Sequence, residues 1–447
     1  MACNENPFPF TEQPDKWGYL NNPRWTGSPN SEKVHNPCGH WHKRSPEREY
    51  YQTNYNWWQQ TCDIDGDNLA FTAVGYSYPY LFVIGKINGV WQYIDIIEFN
   101  EDGYLDYESP FGYIGWVFLL GNIIVWAHNI YTNWDSNFRI WTKPVSTGVV
   151  TSHDVFCSYC GGTGIYYYED SDSDFIMDAS ETGIVTCCVI RYDDYYNVDV
   201  ISRTSENFGL NWKDEVSVFN SPEGVEWPSG IATRIDADGT IWLVYGTSDY
   251  VALYLYKSTD NGNNFTLVNA IAYTGSTYYL HLFVDSTKPF ISIVVYGFFP
   301  NYLQTFISTD GGTNFTNYGI TLYYPNNLAG DYANGVICLY VRRASDLKYV
   351  IIRSTDYGAT WSVVHVLTGN YITPYPYVAK LRGDGDNFIF TSCNLSDSTN
   401  SQLGYLLSTD KGLTWNYFNS PYSKGVGPTV VVRLDPFLPD AQVWTLP

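Results

Sequence analysis

The chain has 447 residues, and its 46 acidic and 24 basic residues give a formal charge of −22. Such a charge repels nucleic-acid phosphates, and no apolar run reaches the roughly 18 residues that a membrane-spanning helix needs. Aromatic residues make up 18% of the chain and 37 residues are glycine, which is typical of short β-strands separated by tight turns.

Residues 1–57 show no hydrophobic periodicity, so they are predicted to form an irregular N-terminal arm. The arm contains four potential zinc ligands, His35, Cys38, His40 and His42. Zinc prefers nitrogen and sulfur donors, but this spacing matches no standard finger, so both a structural zinc and a polar surface remain open. The first residues lack the basic and apolar parts of a signal peptide. We therefore expect a cytoplasmic or virion-associated protein rather than one secreted by the Sec pathway.

Residues 58–447 contain short apolar strands in groups of four, which predicts a single all-β domain. The groups lie near 60–97, 110–150, 172–218, 230–271, 277–320, 330–367 and 376–419, and a last pair covers 429–434 and 441–446. We predict a β-propeller of seven four-stranded blades, with six or eight as alternatives. The last pair would complete a ring-closing blade with N-terminal strands, as is common in propellers.

A phrase of eight residues, Ser-Thr-Asp-x-Gly-x-(Thr/Asn)-(Trp/Phe), marks the later groups. Complete copies begin at 258, 308, 354 and 408, and a less regular copy begins at 205. The start positions are therefore 53, 50, 46 and 54 residues apart (258−205, 308−258, 354−308, 408−354). A repeat of this length predicts a propeller or a solenoid.

Each residue of the phrase has a role in a tight hairpin turn. Glycine supplies a positive φ, the aspartate accepts hydrogen bonds from nearby backbone N–H groups, and the final aromatic ring packs on its own sheet. The residues expected to build the turns are Asp260, Gly262, Phe265, Asp310, Gly312, Phe315, Asp356, Gly358, Trp361, Asp410, Gly412 and Trp415.

The phrase resembles the Asp-box, or BNR repeat, of sialidase-like β-propellers, and the resemblance covers roughly residues 200–420. Enzymes of that superfamily hold the substrate carboxylate with three arginines, the first in a Phe-Arg-Ile-Pro type motif. They use a Tyr–Glu pair as nucleophile and an Asp as acid/base. The nearest match here, Phe138-Arg139-Ile140-Trp141, lacks the proline and falls in a predicted third strand. No convincing arginine triad emerges.

The two faces of such a propeller differ in composition. The repeated phrase and the Asp-rich segments 63–67, 236–239 and 383–386 are predicted to be turns on one face, with calcium binding as the alternative. The other face has longer loops rich in aromatic and amide residues, which suit a sugar ring or a protein partner. The residues predicted to bind a ligand there are Tyr195, Tyr196, Trp227, Tyr302, Tyr324, Tyr375, Tyr377 and Arg342.

These observations favour non-catalytic recognition of a glycan or a protein, as in a viral or cell-surface attachment or assembly component. A homo-oligomer or a larger assembly is compatible with this function, and no cofactor is expected beyond a structural zinc or calcium ion. The alternative is an exo-acting glycoside hydrolase of sialidase-like type. Its carboxylates would come from loops of the aromatic face, with Asp193, Asp194, Glu223, Glu226 and Asp331 as candidates. A third interpretation is an assembly factor that resembles photosystem II stability proteins, which also carry this repeat. Nine cysteines without a secretion signal favour mostly reduced thiols.

Overall fold

The structure is a computed structural model. It describes residues 62–65, 68–74, 79–87, 90–98, 114–132, 135–145, 151–157, 175–192, 198–221, 228–247, 252–273, 279–285, 287–296, 303–320, 323–367, 379–392, 404–419, 430–433 and 442–445. These residues form strands and turns, so the described part of the chain is all-β. The predicted N-terminal arm, residues 1–57, lies outside the described residues.

The described residues contain thirty strands, which form antiparallel sheets of consecutive strands and are numbered here in chain order. Sheet 1 contains β1 (Cys62–Asp65), β2 (Asn68–Val74), β3 (Pro79–Ile87) and β4 (Val90–Glu98). Sheet 2 contains β5 (Ile114–Leu120), β6 (Ile123–Thr132), β7 (Asp135–Pro144) and β8 (Thr151–Cys157). Sheet 3 contains β9 (Phe175–Ala179), β10 (Val185–Tyr192), β11 (Val198–Ser205) and β12 (Val216–Ser221). Sheet 4 contains β13 (Pro228–Ile235), β14 (Ile241–Thr247), β15 (Ala252–Ser258) and β16 (Thr266–Ala272).

The later sheets follow the same order. Sheet 5 contains β17 (Tyr279–Asp285), β18 (Phe290–Tyr296), β19 (Leu303–Ser308) and β20 (Thr316–Ile320). Sheet 6 contains β21 (Tyr323–Ala333), β22 (Val336–Arg343), β23 (Tyr349–Ser354) and β24 (Ser362–Val366). Sheet 7 contains β25 (Ala379–Asp384), β26 (Asn387–Ser392), β27 (Gly404–Ser408) and β28 (Asn416–Asn419). Sheet 8 contains only β29 (Val430–Arg433) and β30 (Gln442–Thr445).

The four-stranded sheets stand around a central axis as the blades of a β-propeller. The first strand of each sheet contacts the first strand of the next, from β1 to β25, and β25 in turn contacts β1. The hydrophobic core lies between neighbouring sheets. Cys187 and Cys188 on β10 illustrate this arrangement, because one packs into the cluster shared with sheet 2 and the other into the cluster shared with sheet 4. Neither cysteine forms a disulfide, and neither do Cys62 and Cys338 in the described residues.

The blade count predicted from the sequence has to be corrected. The described strands form eight sheets, of which sheet 8 has only two strands, so seven four-stranded blades do not account for the whole chain. Strands β29 and β30 pair with each other, and no N-terminal strand joins them within the described residues. Prolines 421, 428, 436 and 439 flank these two strands. Since proline cannot donate a ladder hydrogen bond, it limits strands here to short segments.

The repeated phrase lies where the sequence predicts, in the hairpin turn between the third and fourth strands of sheets 3 to 7. We call these five segments (205–212, 258–265, 308–315, 354–361 and 408–415) the repeat turns. In the second of them, the Ser258 hydroxyl donates to Asp260 and accepts from the N–H of Gly262 at 2.9 Å. The Asp260 carboxylate also accepts from the N–H and the side-chain amide of Asn264, and these bonds lower its pKa to about 2.

Each repeat turn also contacts the sheet that precedes it. The Thr142 hydroxyl of sheet 2 donates to the carbonyl of Phe208 at 2.6 Å, and Arg353 Nε of sheet 6 donates to the carbonyl of Lys411 at 2.6 Å. Asn269 of sheet 4 donates in the same way to the carbonyl of Gly312 at 2.9 Å. The repeat turn is therefore a contact between sheets as well as a hairpin.

No helix among the described residues is long and apolar enough to span a membrane.

Two glycines of the repeat turns allow a matched test of this contact. Gly262 has a φ of +80°, and a Cβ there would overlap the Thr204 side chain of sheet 3. Gly311 has a φ of +70°, but a Cβ there would meet nothing within 4 Å. We expect Gly311→Ala to cost at most about 1–2 kcal/mol of backbone strain. Gly262→Ala adds overpacking and should cost about 2–5 kcal/mol.

The free energy of unfolding from urea denaturation measures both changes. Equal destabilisation by the two variants would contradict an inter-sheet role for the turn, since backbone strain alone would then explain the cost.

Candidate functional site

The first strands of sheets 2 to 7 surround a central cavity of about 100 Å³. Its lining combines apolar and charged side chains. They include Trp116, Met177, Asp178, Thr233, Arg234, His281, Phe283, Asp331, Leu381 and Arg382. The cavity is the candidate site because it is the place where the described structure gathers ionisable groups from several sheets.

Three aspartates near this cavity each bind the backbone of the following sheet. Asp63 on β1 accepts from the N–H of Leu119 on β5 at 2.6 Å, and Asp178 on β9 accepts from the N–H of Ile235 on β13 at 2.7 Å. Asp331 on β21 accepts from the N–H of Gly383 on β25 at 3.0 Å. We call these contacts the carboxylate clasps. Each clasp gives a carboxylate and a backbone N–H a hydrogen-bond partner, and either group would be costly to bury without one.

Arg234 links two of the clasps across the cavity. Its guanidinium lies 3.0 Å from the Asp331 carboxylate and 3.7 Å from that of Asp178. Although burial alone would lower it, the carboxylates of Asp331 and Asp178 raise the pKa of Arg234 above its usual value. Burial also raises the pKa of Asp178, against the opposing effect of Arg234. The three groups form one ion network that spans sheets 3, 4 and 6.

Arg382 and Asp63 form the second charged region. The Arg382 guanidinium lies over the Phe118 ring, 5.0 Å from its centroid, and its charge favours the ionised form of Asp63. Burial nevertheless dominates and raises the pKa of Asp63 to about 7. The Leu119 N–H opposes this shift, whereas the Asp331 carboxylate adds to it. Asp63 lies on β1, beside the cavity rather than among the residues that line it.

The sequence-predicted ligand residues fall mostly outside the described residues. These are Tyr195, Tyr196, Trp227, Tyr302, Tyr375 and Tyr377. The backbone of Tyr324 lies on β21, directly opposite Arg342 on β22. The Arg342 side chain donates to the carbonyl of Leu347 at 3.0 Å and lies over the Tyr349 ring at 5.9 Å, so it contacts its own hairpin. The ligand-binding role of these residues stays a prediction.

Asp331, a candidate carboxylate of the glycosidase alternative, does not lie where the sequence predicts. Asp331 was expected in a loop of the aromatic face, but it lies on β21 and is 3% exposed. The reason is the following Asn334-Gly335 pair, whose positive φ values of 45° and 81° make the tight turn between β21 and β22. Asp331 therefore lies near the repeat-turn end of the channel, within reach of Arg234.

The ion network itself was missed by sequence reasoning. Arg234 and Arg382 fall within the predicted strand groups 230–271 and 376–419, yet nothing in the sequence indicates their partners, which lie in other sheets. A usable signal exists for one member, since Asp178 is the one charged residue in the otherwise apolar strand Phe175–Ala179. A charge in such a strand indicates a buried partner.

Within the described residues no three His, Cys, Asp or Glu side chains are placed to hold a metal ion. The predicted zinc ligands His35, Cys38, His40 and His42 lie outside the described residues. Of the Asp-rich turns, Asp63 and Asp65 accept backbone hydrogen bonds from Leu119 and Gly121, both at 2.6 Å.

Comparison with known proteins identifies the fold. No protein-family model matches the chain, and no curated protein matches it. Among solved structures, one of two prolyl endopeptidases aligns with a TM-score of 0.53 at 10% identity, over 83% of this chain and 51% of its own. The chain thus spans about half the length of that protein. The polysaccharide lyase Uly1 aligns with a TM-score of 0.53 at 9% identity, over 82% of this chain and 96% of its own.

A sialidase is also among the structural neighbours. The Hadza microbial sialidase Hz136 aligns with a TM-score of 0.48 at 12% identity, over 73% of this chain and 71% of its own. At such low identities, the likeness to the endopeptidase and the lyase concerns the fold alone. The chain is therefore an all-β propeller, a fold that it shares with the endopeptidase and the lyase.

The ion network can be tested by removing its central cation. Arg234→Met leaves two buried carboxylates without their counter-charge, so we expect a loss of about 3–5 kcal/mol in the free energy of unfolding. Arg191 is the matched control, because its guanidinium also bridges two carboxylates, those of Asp199 and Glu215, both at 3.1 Å. Glu215 is 41% exposed, so Arg191→Met should cost no more than about 1 kcal/mol.

Urea denaturation at pH 8 measures both variants. A cost for Arg234→Met that is no larger than the cost for Arg191→Met would show that the network contributes little to stability.

Proposed function

We propose that the chain is a non-catalytic recognition propeller that binds a glycan or a protein through its loop-rich face. An attachment or assembly component of a virus or cell surface would use a propeller in this way. The exo-acting glycoside hydrolase is the alternative. The observation that carries the proposal is the state of the central cavity, where an enzyme of this fold would require a substrate pocket.

The cavity does not offer what glycoside hydrolysis needs. Its volume of about 100 Å³ is well below the roughly 300 Å³ from which ligand pockets usually start. Its carboxylates are also engaged with other sheets, because Asp178 and Asp331 bind backbone N–H groups and share Arg234. A hydrolase needs one carboxyl group to donate a proton and another to attack or to activate water.

Among the described residues, the arginines of the opposite face are likewise engaged within their own sheets. Arg191 pairs with Asp199 and Glu215, and Arg343 pairs with Asp346 in the hairpin between β22 and β23. A carboxylate-binding triad needs guanidinium groups that are free to bind the substrate. This engagement supports recognition rather than sialidase chemistry.

The aromatic loops remain as the binding surface. Tyr375 and Tyr377 are close in sequence and are flanked by prolines in the segment Thr373-Pro374-Tyr375-Pro376-Tyr377. Proline restricts the backbone and so reduces the entropy that is lost when the rings bind a ligand. Tyrosine rings suit the apolar faces of sugars and the anchor pockets of proteins.

An array of immobilised glycans probed with the full chain tests this proposal. We expect the Tyr375→Ala/Tyr377→Ala double variant to bind any captured glycan at least about 30-fold more weakly, as for loss of anchor residues worth about 2 kcal/mol. Leu210→Ser is the control, since Leu210 is 40% exposed in the repeat turn of sheet 3, on the opposite face.

Chromogenic glycosides incubated with the same protein provide the opposing measurement. Turnover would contradict a non-catalytic role, and undiminished binding by the double variant would remove the loop face as the site.

A further inference from the structure

The fourth strand of each four-stranded sheet is its outer edge. These strands are β4, β8, β12, β16, β20, β24 and β28, and within the described residues each pairs only with the third strand of its own sheet. A free edge presents unpaired backbone N–H and C=O groups, so it can accept a strand from another chain. Soluble proteins usually prevent this with charged side chains, prolines or β-bulges at the edge.

Most outer strands of this propeller carry such protection. The pairing of β4, β8, β12, β16 and β24 with the third strand of the sheet shifts in register, as at a β-bulge. Strands β4 and β8 also carry acidic residues, namely Asp95, Glu98 and Asp154. Of the outer strands in the described part of the chain, β20 and β28 have neither a register shift nor a charged residue. Strand β20 is the longer of the two, with five residues against four.

Strand β20 is open to solvent and firmly placed. Thr316, Asn317, Tyr318 and Gly319 are all exposed, and the ladder with β19 is regular over the whole strand. The Asn317 side-chain amide donates to Oε1 of Gln304 on β19 at 2.9 Å, which holds β20 on its neighbour. The Tyr318 side chain is 37% exposed and has no partner among the described residues. A regular edge with an exposed aromatic ring suits the addition of a strand.

The surroundings of β20 are almost free of charge. Between Lys288 and Asp331 the sequence has a single charged residue, Asp310 in the repeat turn, so β18, β19 and β20 contain none. Two copies of this chain, each with a formal charge of −22, repel one another and approach most closely where their surfaces are uncharged. A basic partner would be attracted to the acidic parts of the surface instead. The charge pattern therefore favours a second copy of this chain at β20.

We propose that β20 is a self-association edge, at which the β20 strands of two copies pair antiparallel and join the two copies of sheet 5 into one sheet. An antiparallel pair of identical strands has a two-fold axis, so both copies use the same surface. With the axis at the middle residue of the strand, the Tyr318 rings of the two copies lie opposite each other. Such aromatic pairs stabilise antiparallel strands.

This pairing determines how the two propellers are oriented. The paired strands run in opposite directions, so their repeat turns lie at opposite ends of the joined sheet. The loop-rich faces of the two copies therefore point in opposite directions. The pairing is independent of what those faces bind, so a negative result on the glycan array leaves it unaffected.

Sedimentation velocity of the full chain over a range of concentrations tests the self-association. We expect an equilibrium of monomer and dimer that is weak, because a short strand buries little area. The dimer fraction should rise from about 0.1 M to about 1 M NaCl, since the Debye length falls from about 10 Å to about 3 Å and the repulsion between the acidic chains is screened.

Opposite charges introduced at Tyr318 identify the edge. Tyr318→Glu and Tyr318→Lys each place two like charges opposite one another, so at the higher salt concentration each variant alone should dimerise about tenfold more weakly than the wild type. An equimolar mixture of the two variants places unlike charges opposite one another and should recover the wild-type affinity to within about threefold. Leu267→Glu is the control matched in net charge, because Leu267 is 51% exposed on the outer strand β16, whose ladder is shifted. It should dimerise like the wild type.

The wild-type measurement decides the proposal even if a variant fails to fold. A chain that stays monomeric at both salt concentrations up to about 1 mM would overturn it and would leave the edge to a strand from a different protein. Dimers that Tyr318→Glu leaves intact would place the contact elsewhere. If the mixture of the two variants does not recover, the two β20 strands do not pair with each other.

Discussion

The constraint on which the structure depends is that both faces of each sheet must be covered by another sheet. Strand β14 shows it most clearly, because all seven of its residues are buried. A sheet that is apolar on both faces cannot remain in water alone, so each one needs two neighbours, and a closed ring supplies them. The carboxylate clasps and the repeat turns then determine how neighbouring sheets are aligned. Hydrophobic burial alone does little to determine this alignment, since it is non-directional.

The sequence predicted the local features well and the long-range ones poorly. The repeat turns and most strand positions follow from glycine, aspartate and alternating apolar residues, all of which act within about ten residues. The ion network does not, because Asp178 and the N–H that it binds are 57 residues apart. The two-stranded sheet 8 was read as part of a blade because a strand pattern does not reveal its partners.

The aromatic content of the sequence indicates β-strands but does not say where the rings lie. Much of it packs between sheets rather than on the loop face. The Tyr245 ring lies 5.0 Å from Phe219 of sheet 3 and 5.1 Å from Tyr254 of its own sheet, and Tyr340 of sheet 6 lies 4.7 Å from Phe390 of sheet 7. Large flat side chains fill the wedge between two twisted sheets efficiently. Composition alone therefore cannot separate an aromatic core from an aromatic binding surface, whereas the position along a strand can.

The repeat turns give the ring a direction. In every contact described above, the turn of one sheet receives a hydrogen bond from the sheet before it, as Asn269 does for the turn at Gly312. During synthesis on the ribosome, a newly formed sheet therefore remains uncapped until its successor has left the exit tunnel. Since an uncovered apolar sheet is prone to aggregation, the last complete sheet is exposed to this hazard until the next repeat turn has formed.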